Sequence, residues 1–247
     1  MKSIKLIALD MDGTLLNRDL EVSRANREAI HLAQQKGVHV VLSTGRFIAS
    51  TREYARSLRL TSYLVTSNGA EVWDASGKLW HRRALSSELV EWMYRMGEQY
   101  RTRVWGATAE RVWDGGAIPG SVHDHKWLKF GFDTEKDDVR NTIWKKLVET
   151  GELEVSNSTP TNIEVNAKGV SKAAALETVC RQLNFSMDDV LAVGDSLNDV
   201  AMIRSAGIGV AMGNAQERVR EAADWVTVTN EEDGVATAIH RWVLGTR

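Results

Sequence analysis

The chain has 247 residues, 43% of them hydrophobic and 26% charged, with a formal net charge of −2. That length can bury one large core or a core plus a smaller domain, and near-neutral charge gives no reason to expect nucleic acid or an anionic membrane as partner. The lone cysteine, Cys180, rules out an internal disulfide, and without a long apolar segment there is neither signal peptide nor membrane span, so a cytoplasmic protein is expected.

Ile4 to Leu9 reads as a strand, and its apolar run Ile7-Ala8-Leu9 marks it as a buried parallel one. It ends in Asp10-Met11-Asp12-Gly13-Thr14-Leu15. Side chains alternate along a strand, so Asp10 and Asp12 share a side while the chain stays extended. Gly13 permits a tight turn just beyond them. Two carboxylates at the carboxyl edge of a strand can bind a hard cation such as Mg²⁺, or divide into nucleophile and proton carrier. Taken alone they can equally cap the following turn.

Ser23 is the expected N-cap of a helix running to Lys36, with Gly37 just past its end. Val38 to Leu42 is a second buried strand, and Ser43-Thr44-Gly45-Arg46 follows at once. A helix from Phe47 to Leu58 and a strand from Tyr63 to Thr66 lead to Ser67-Asn68-Gly69. Ala70 to Trp73 and Lys78 to His81 flank Asp74-Ala75-Ser76-Gly77, a hairpin pattern.

The pattern changes between about Arg83 and Ile163. A helix from Ser87 to Tyr100 leads into strand-like pieces at Arg103–Trp105, Arg111–Trp113, Lys126–Phe132, Leu153–Ser156 and Asn162–Val165, interrupted by a helix from Lys136 to Glu149. This is an α+β domain, residues 83–163, inserted into an α/β core made of residues 1–82 and 164–247. It holds five of the nine tryptophans: Trp92, Trp105, Trp113, Trp127 and Trp144. One of them could stack on a sugar, while packing of a small core explains most. His123 and His125 flank Asp124 in a loop after Gly120, where a metal role is the minor reading. Beyond the insertion come helix Ser171–Leu183, with Cys180 as a buried thiol, strand Val190–Val193, helix Asp199–Ala206 and strand Ile208–Val210. A helix from Ala215, a strand at Trp225–Val228 and a helix from Asp233 complete the alternation, which implies a parallel sheet with helices on both faces.

Four segments lie in order at strand ends or helix starts: Asp10 to Leu15, Ser43 to Arg46, Gly169-Val170-Ser171-Lys172, and Gly194-Asp195-Ser196-Leu197-Asn198-Asp199. Together they resemble the signatures of the haloacid dehalogenase superfamily in its phosphatase form. Insertion between the second and third resembles the Cof-like branch, whose α/β cap closes over the active site. The resemblance covers about the first 80 and the last 80 residues, and the middle carries no motif.

The resemblance implies a doubly wound, Rossmann-like parallel-sheet core with an inserted α+β cap. It also implies a Mg²⁺-dependent phosphatase acting on small phosphorylated metabolites. Asp10 would be the nucleophile that forms an aspartyl-phosphate, and Asp12 the general acid and base. Thr44, with backbone N–H groups near Gly45, would hold the phosphoryl oxygens, and Lys172 would neutralise nucleophile and phosphate. Asp10, Asp195 and the backbone carbonyl of Asp12 would ligate Mg²⁺; Asp199 would act through a metal-bound water or hold Lys172. Asn198 would donate to the phosphate. Arg46 binds a substrate anion or is a surface charge, and Asn68 faces the substrate or makes a turn. A phosphomutase of the phosphomannomutase type is the first rival reading, and a non-catalytic sensor of a phosphorylated ligand the second. The oligomeric state, monomer or homodimer, stays open.

Overall fold

A computed structural model describes residues 3–115 and 120–245. The first part of the chain runs β1 (Leu6–Leu9), α1 (Arg24–Gln35), β2 (His39–Ser43), α2 (Ile48–Ser57), β3 (Leu64–Thr66), β4 (Glu71–Trp73) and β5 (Leu79–Arg82). The insertion follows as α3 (Ser87–Tyr100), β6 (Arg103–Thr108), β7 (Val112–Asp114), β8 (Trp127–Asp133), α4 (Asp137–Glu149), β9 (Leu153–Ser156) and β10 (Asn162–Ala167). The last part is α5 (Lys172–Gln182), β11 (Val190–Gly194), α6 (Val200–Ser205), β12 (Ile208–Ala211), α7 (Glu217–Arg220), β13 (Trp225–Val226) and α8 (Gly234–Ile239).

The core sheet has the order β13-β12-β11-β1-β2-β3-β4-β5. It is parallel from β13 to β3, and the hairpin β4-β5 adds two antiparallel strands. Its central strands bury both faces, which is why they read as unbroken apolar runs. Ile7, Leu9, Val40, Leu42, Leu191 and Val193 pack on one side with α1, α2 and α8. Leu6, Ala8, Val41, Val190 and Ala192 pack on the other with α5. From β1 the chain winds outward to β2 and β3, and from β11 outward the opposite way to β12 and β13. The β1–β11 boundary is therefore the switch point, where such sheets open a crevice at their carboxyl ends.

The inserted sheet is antiparallel with the order β7-β6-β8-β10-β9. One face packs Phe130, Phe132, Ile163 and Val165 against Val90 and Met93 of α3 and Ile143 and Leu147 of α4. Strand β10 runs to Ala167 and stays paired with β9 to its end. That pairing carries Glu164 and Asn166 into the inserted sheet, four residues past the boundary expected at 163. The two halves meet at a small apolar joint of Ala70, Leu128 and Val170.

The expected helix at 199–206 is also reshaped. Ser196 and Asp199 form a reciprocal capping box around a 3-10 turn, and α6 starts only at Val200. Among the described residues no helix is long and apolar enough to cross a membrane.

Candidate active site

The site forms where β1, β2 and β11 end. β1 delivers Asp10, which is 5% exposed, and the chain then turns at Gly13 with φ +77°. Only glycine suits that turn: a Cβ there would stand 2.6 Å from Asp195 Oδ2. Thr14, just past it, donates from Oγ1 to Asp195 Oδ1 at 2.8 Å, locking the first motif onto the fourth. The end of β11 delivers Asp195, and the capping box that opens the way to α6 delivers Asp199.

Lys172 is the first residue of α5, after the N-cap Ser171. A cation in a first helical turn opposes the helix dipole, so its place there is set by its partners. Its Nζ donates to Asp10 Oδ1 at 2.6 Å and to Asp199 Oδ1 at 2.7 Å, and the residue is 1% exposed. Asp199 Oδ2 accepts from the backbone N–H of Asp195 and of Ser196, both at 3.0 Å. Both oxygens of Asp199 are thus engaged in holding Lys172 and the fourth-motif loop.

Burial weighs against the Lys172 ammonium, but Asp10 and Asp199 outweigh it and push its pKa above the ordinary lysine value. Burial also pushes the Asp10 carboxyl well above its ordinary value; Lys172 opposes that, and Asp199 and Asp195 add to it. Asp195 is pushed up to about 6 by burial and by Asp199. Oxygens of Asp10, Asp195 and Asp199 lie within 4.8 Å of one another. With all three ionised, one lysine leaves a surplus of two negative charges among all-oxygen donors, which is what a hard divalent cation fits.

Asp12 sits apart from this cluster. Its carboxylate, 52% exposed, is held by both forks of Arg46: Nη2 to Oδ1 at 2.6 Å and Nε to Oδ2 at 2.8 Å. Arg46 also packs against Tyr54, 5.3 Å from its ring centroid. Thr44 is buried, and its Oγ1 accepts from the Arg46 N–H at 3.1 Å. Asn68 is buried as well, in a left-handed conformation; its amide donates to Glu164 at 2.6 Å, and its oxygen accepts from Asn198 at 3.3 Å. Asn198 Oδ1 is buried without a partner.

The inserted sheet contributes residues that no motif marked. Lys129 on β8 donates to the Gly45 carbonyl at 3.0 Å and stands 3.2 Å from Glu164 on β10. Asn166, also on β10, donates to the Ser67 carbonyl at 3.0 Å. The signal that could have found them is the alternation of polar positions along β8 and β10. The other candidates fall elsewhere. His123 lies 3.7 Å from Glu91, His125 packs edge-on between Trp113 and Trp127, and Cys180 is a buried thiol pushed up to about 11 by burial.

The chain matches the family model for haloacid dehalogenase-like hydrolases over residues 7–143 and 118–239. It is an enzyme of that family. This haloacid dehalogenase-like hydrolase is 54% identical to the 5-amino-6-(5-phospho-D-ribitylamino)uracil phosphatase YcsE of Bacillus subtilis, over 98% of this chain and 96% of the other. It is 31% identical to the phosphatase YwpJ of the same organism, over 94% and 98% of the two chains. A solved haloacid dehalogenase-like hydrolase from B. subtilis superposes with a TM-score of 0.90 at 28% identity, covering 97% of this chain and all of that one. The expected family and its doubly wound fold thus hold.

Proposed function

We propose that the enzyme is a Mg²⁺-dependent phosphatase that hydrolyses a small phosphorylated metabolite through an aspartyl-phosphate on Asp10. The observation that carries this reading is Lys172, buried between Asp10 and Asp199 with Asp195 alongside, at the switch point of the sheet. Its similarity to YcsE makes 5-amino-6-(5-phospho-D-ribitylamino)uracil the first substrate to test.

A phosphomonoester dianion repels an attacking carboxylate, so the site must supply positive charge. Asp10, Asp195 and the backbone carbonyl of Asp12 would hold Mg²⁺, which would keep Asp10 ionised and draw the phosphate onto it. Lys172 adds a fixed positive charge against Asp10. Asp10 Oδ attacks phosphorus, the bond from phosphorus to the ester oxygen breaks, and Asp12 gives that oxygen a proton. Water then attacks the phosphorus, Asp12 takes the proton, and the acyl–phosphate bond breaks to release inorganic phosphate. Thr44, the backbone N–H groups near Gly45 and the Asn198 amide N–H hold the phosphoryl oxygens.

Turnover in ¹⁸O-water tests the reading. Labelled inorganic phosphate should appear with Mg²⁺, vanish with chelator and not return with Ca²⁺, which demands octahedral geometry less strictly. Asp10→Asn should lower kcat at least about a thousandfold. Full activity in chelator, or isomerised sugar phosphate with little free phosphate, refutes it; the second result is that of a phosphomutase.

A further inference from the structure

The face of the inserted sheet opposite α3 and α4 looks onto the active site, and its residues stand in register. Trp105 on β6 pairs with Gly131 on β8, and Gly131 pairs with Glu164 on β10. The indole of Trp105 lies across Gly131: a Cβ at position 131 would meet its ring atoms at 2.1 Å. Glycine there is what lets the ring lie against the strand. Asp133, one step along the same face, is held by the Arg103 guanidinium at 2.9 Å.

Lys129 connects this ring to the chemistry. Its Nζ stands 4.9 Å from the Trp105 ring centroid, 3.2 Å from Glu164 Oε1 and 3.0 Å from the Gly45 carbonyl of the second motif. A face of the indole is therefore turned into the gap between sheet and core, close to where the phosphate would sit. The other strand tryptophans of the insertion differ: Trp127 and Trp113 pack in that domain's own core. Trp105 is half-buried and belongs to no apolar cluster.

We propose that Trp105 is the specificity platform of the active site: it stacks a planar, hydrogen-bonding heterocycle carried by the phosphorylated substrate. Lys129, 4.9 Å from the ring centroid, offers a donor at its rim. The incoming heterocycle takes the place of the Lys129 ammonium over the indole, and the ammonium turns to a carbonyl on the ring's edge. A short carbon chain between ring and phosphate spans the distance from the indole to the second motif. This rests on the phosphatase reading above and adds the chemical class of the group that leaves.

Two arms test it. Trp105→Leu keeps an apolar cover on Gly131 and removes the π-face; Trp105→Phe restores one. Steady-state kinetics compare 5-amino-6-(5-phospho-D-ribitylamino)uracil with ribitol 5-phosphate, which lacks the ring. In W105L, KM for the ring-bearing ester should rise roughly tenfold more than KM for ribitol 5-phosphate, with kcat little affected, and W105F should recover most of the difference. The second arm needs no turnover: the dephosphorylated ribitylaminouracil should quench tryptophan fluorescence in the wild type and fail to do so in both W105L and W105F, which lack the indole it covers. Equal losses on both esters, or unchanged quenching in W105L, overturn the platform. A wild type that hydrolyses neither these esters nor a generic aryl phosphate in Mg²⁺, but still shows Trp105-dependent quenching, refutes the phosphatase reading and supports the platform. Should W105L not fold, Lys129→Met leaves the indole in place and must show the same ring-selective loss; equal losses there overturn the assignment.

Discussion

Lys172→Met keeps the side chain's length and removes its ammonium. In the native protein that ammonium donates to Asp10 at 2.6 Å and Asp199 at 2.7 Å, and none of the three side chains is more than 7% exposed. Without it, Asp10, Asp195 and Asp199 keep oxygens within 4.8 Å of one another and have no cation beside them. Removing one partner of a buried ion pair costs about 3–5 kcal/mol, because the other charge is left uncompensated. For a chain of this size, about 2–4 °C per kcal/mol turns that cost into a fall in Tm of roughly 6–20 °C. The loss has a sign in pH. Asp10 and Asp195 titrate above their unfolded values, so their favourable contribution is complete below the unfolded pKa and is lost as pH rises through the folded one. The deficit should therefore be larger at about pH 8 than at about pH 5.5. A divalent cation meets no competing ammonium in the variant, so Mg²⁺ should raise the Tm of K172M by more than that of the wild type. Thermal melts followed by circular dichroism, in chelator and in Mg²⁺ at both pH values, read all three effects. A melt in chelator at about pH 8 within about 2 °C of the wild type would show that Lys172 does not hold these carboxylates together.

Two further outcomes follow from the same charges. Asp195, pushed up to about 6 by burial and Asp199, contributes stability that is complete below its unfolded value of 3.8 and is lost as pH rises through about 6. The metal-free enzyme should thus gain Tm on acidification from about pH 7 to about pH 5 while the Mg²⁺-saturated enzyme does not; parallel curves refute the assignment. Burial opposes ionisation of Glu164, but Lys129, Asn68 and Ser158 outweigh it and hold the carboxyl below its ordinary value, so its contribution exists above the unfolded pKa and is lost as pH falls through the folded one. Glu164→Gln leaves the Lys129 ammonium buried with no anion and should loosen the joint between sheet and core, read at neutral pH as faster hydrogen exchange on β10; unchanged exchange would show that the pair does not close the joint.

The core end of the candidate site was legible because its parts are local. A buried parallel strand reads as an apolar run, and Asp10, Thr44 and Asp195 each follow such a run at once. Asp199 was legible only in part. Its spacing from Ser196 marks a capping box, yet nothing local shows that its other oxygen reaches Lys172, 27 positions away in sequence. Thr14 lies inside the first motif, yet nothing local shows its role, because its partner Asp195 is 181 positions distant. The inserted sheet was harder still. Lys129, Gly131 and Asp133 alternate with buried Phe130 and Phe132, as do Asn162, Glu164 and Asn166 with Ile163 and Val165. In sequence that pattern reads as a solvent-facing side, and only docking onto the core makes it the roof of a site. Trp105 shares that roof, so composition could single out five tryptophans but not the one that faces the site.

The resting charges are paired in a way that suits an incoming phosphate. Arg46 occupies both oxygens of Asp12, Lys129 is matched by Glu164, and Lys172 bridges Asp10 and Asp199. Of these pairs, only Arg46–Asp12 has a largely exposed carboxylate, so it is the least costly to exchange. A phosphate dianion offers the guanidinium the same bidentate geometry with more charge. In the proposed reaction, Arg46 moving to the phosphate would free both oxygens of Asp12, the residue that must then carry a proton to the leaving group. In that proposal the two readings of Arg46 open at the level of sequence, anion binder or surface charge, would describe one group in two positions, of which the structure has the one on Asp12. Lys172 is held differently: both its partners are buried and fixed by backbone N–H groups or by the end of β1, so it stays in place while the negative charge beside it grows.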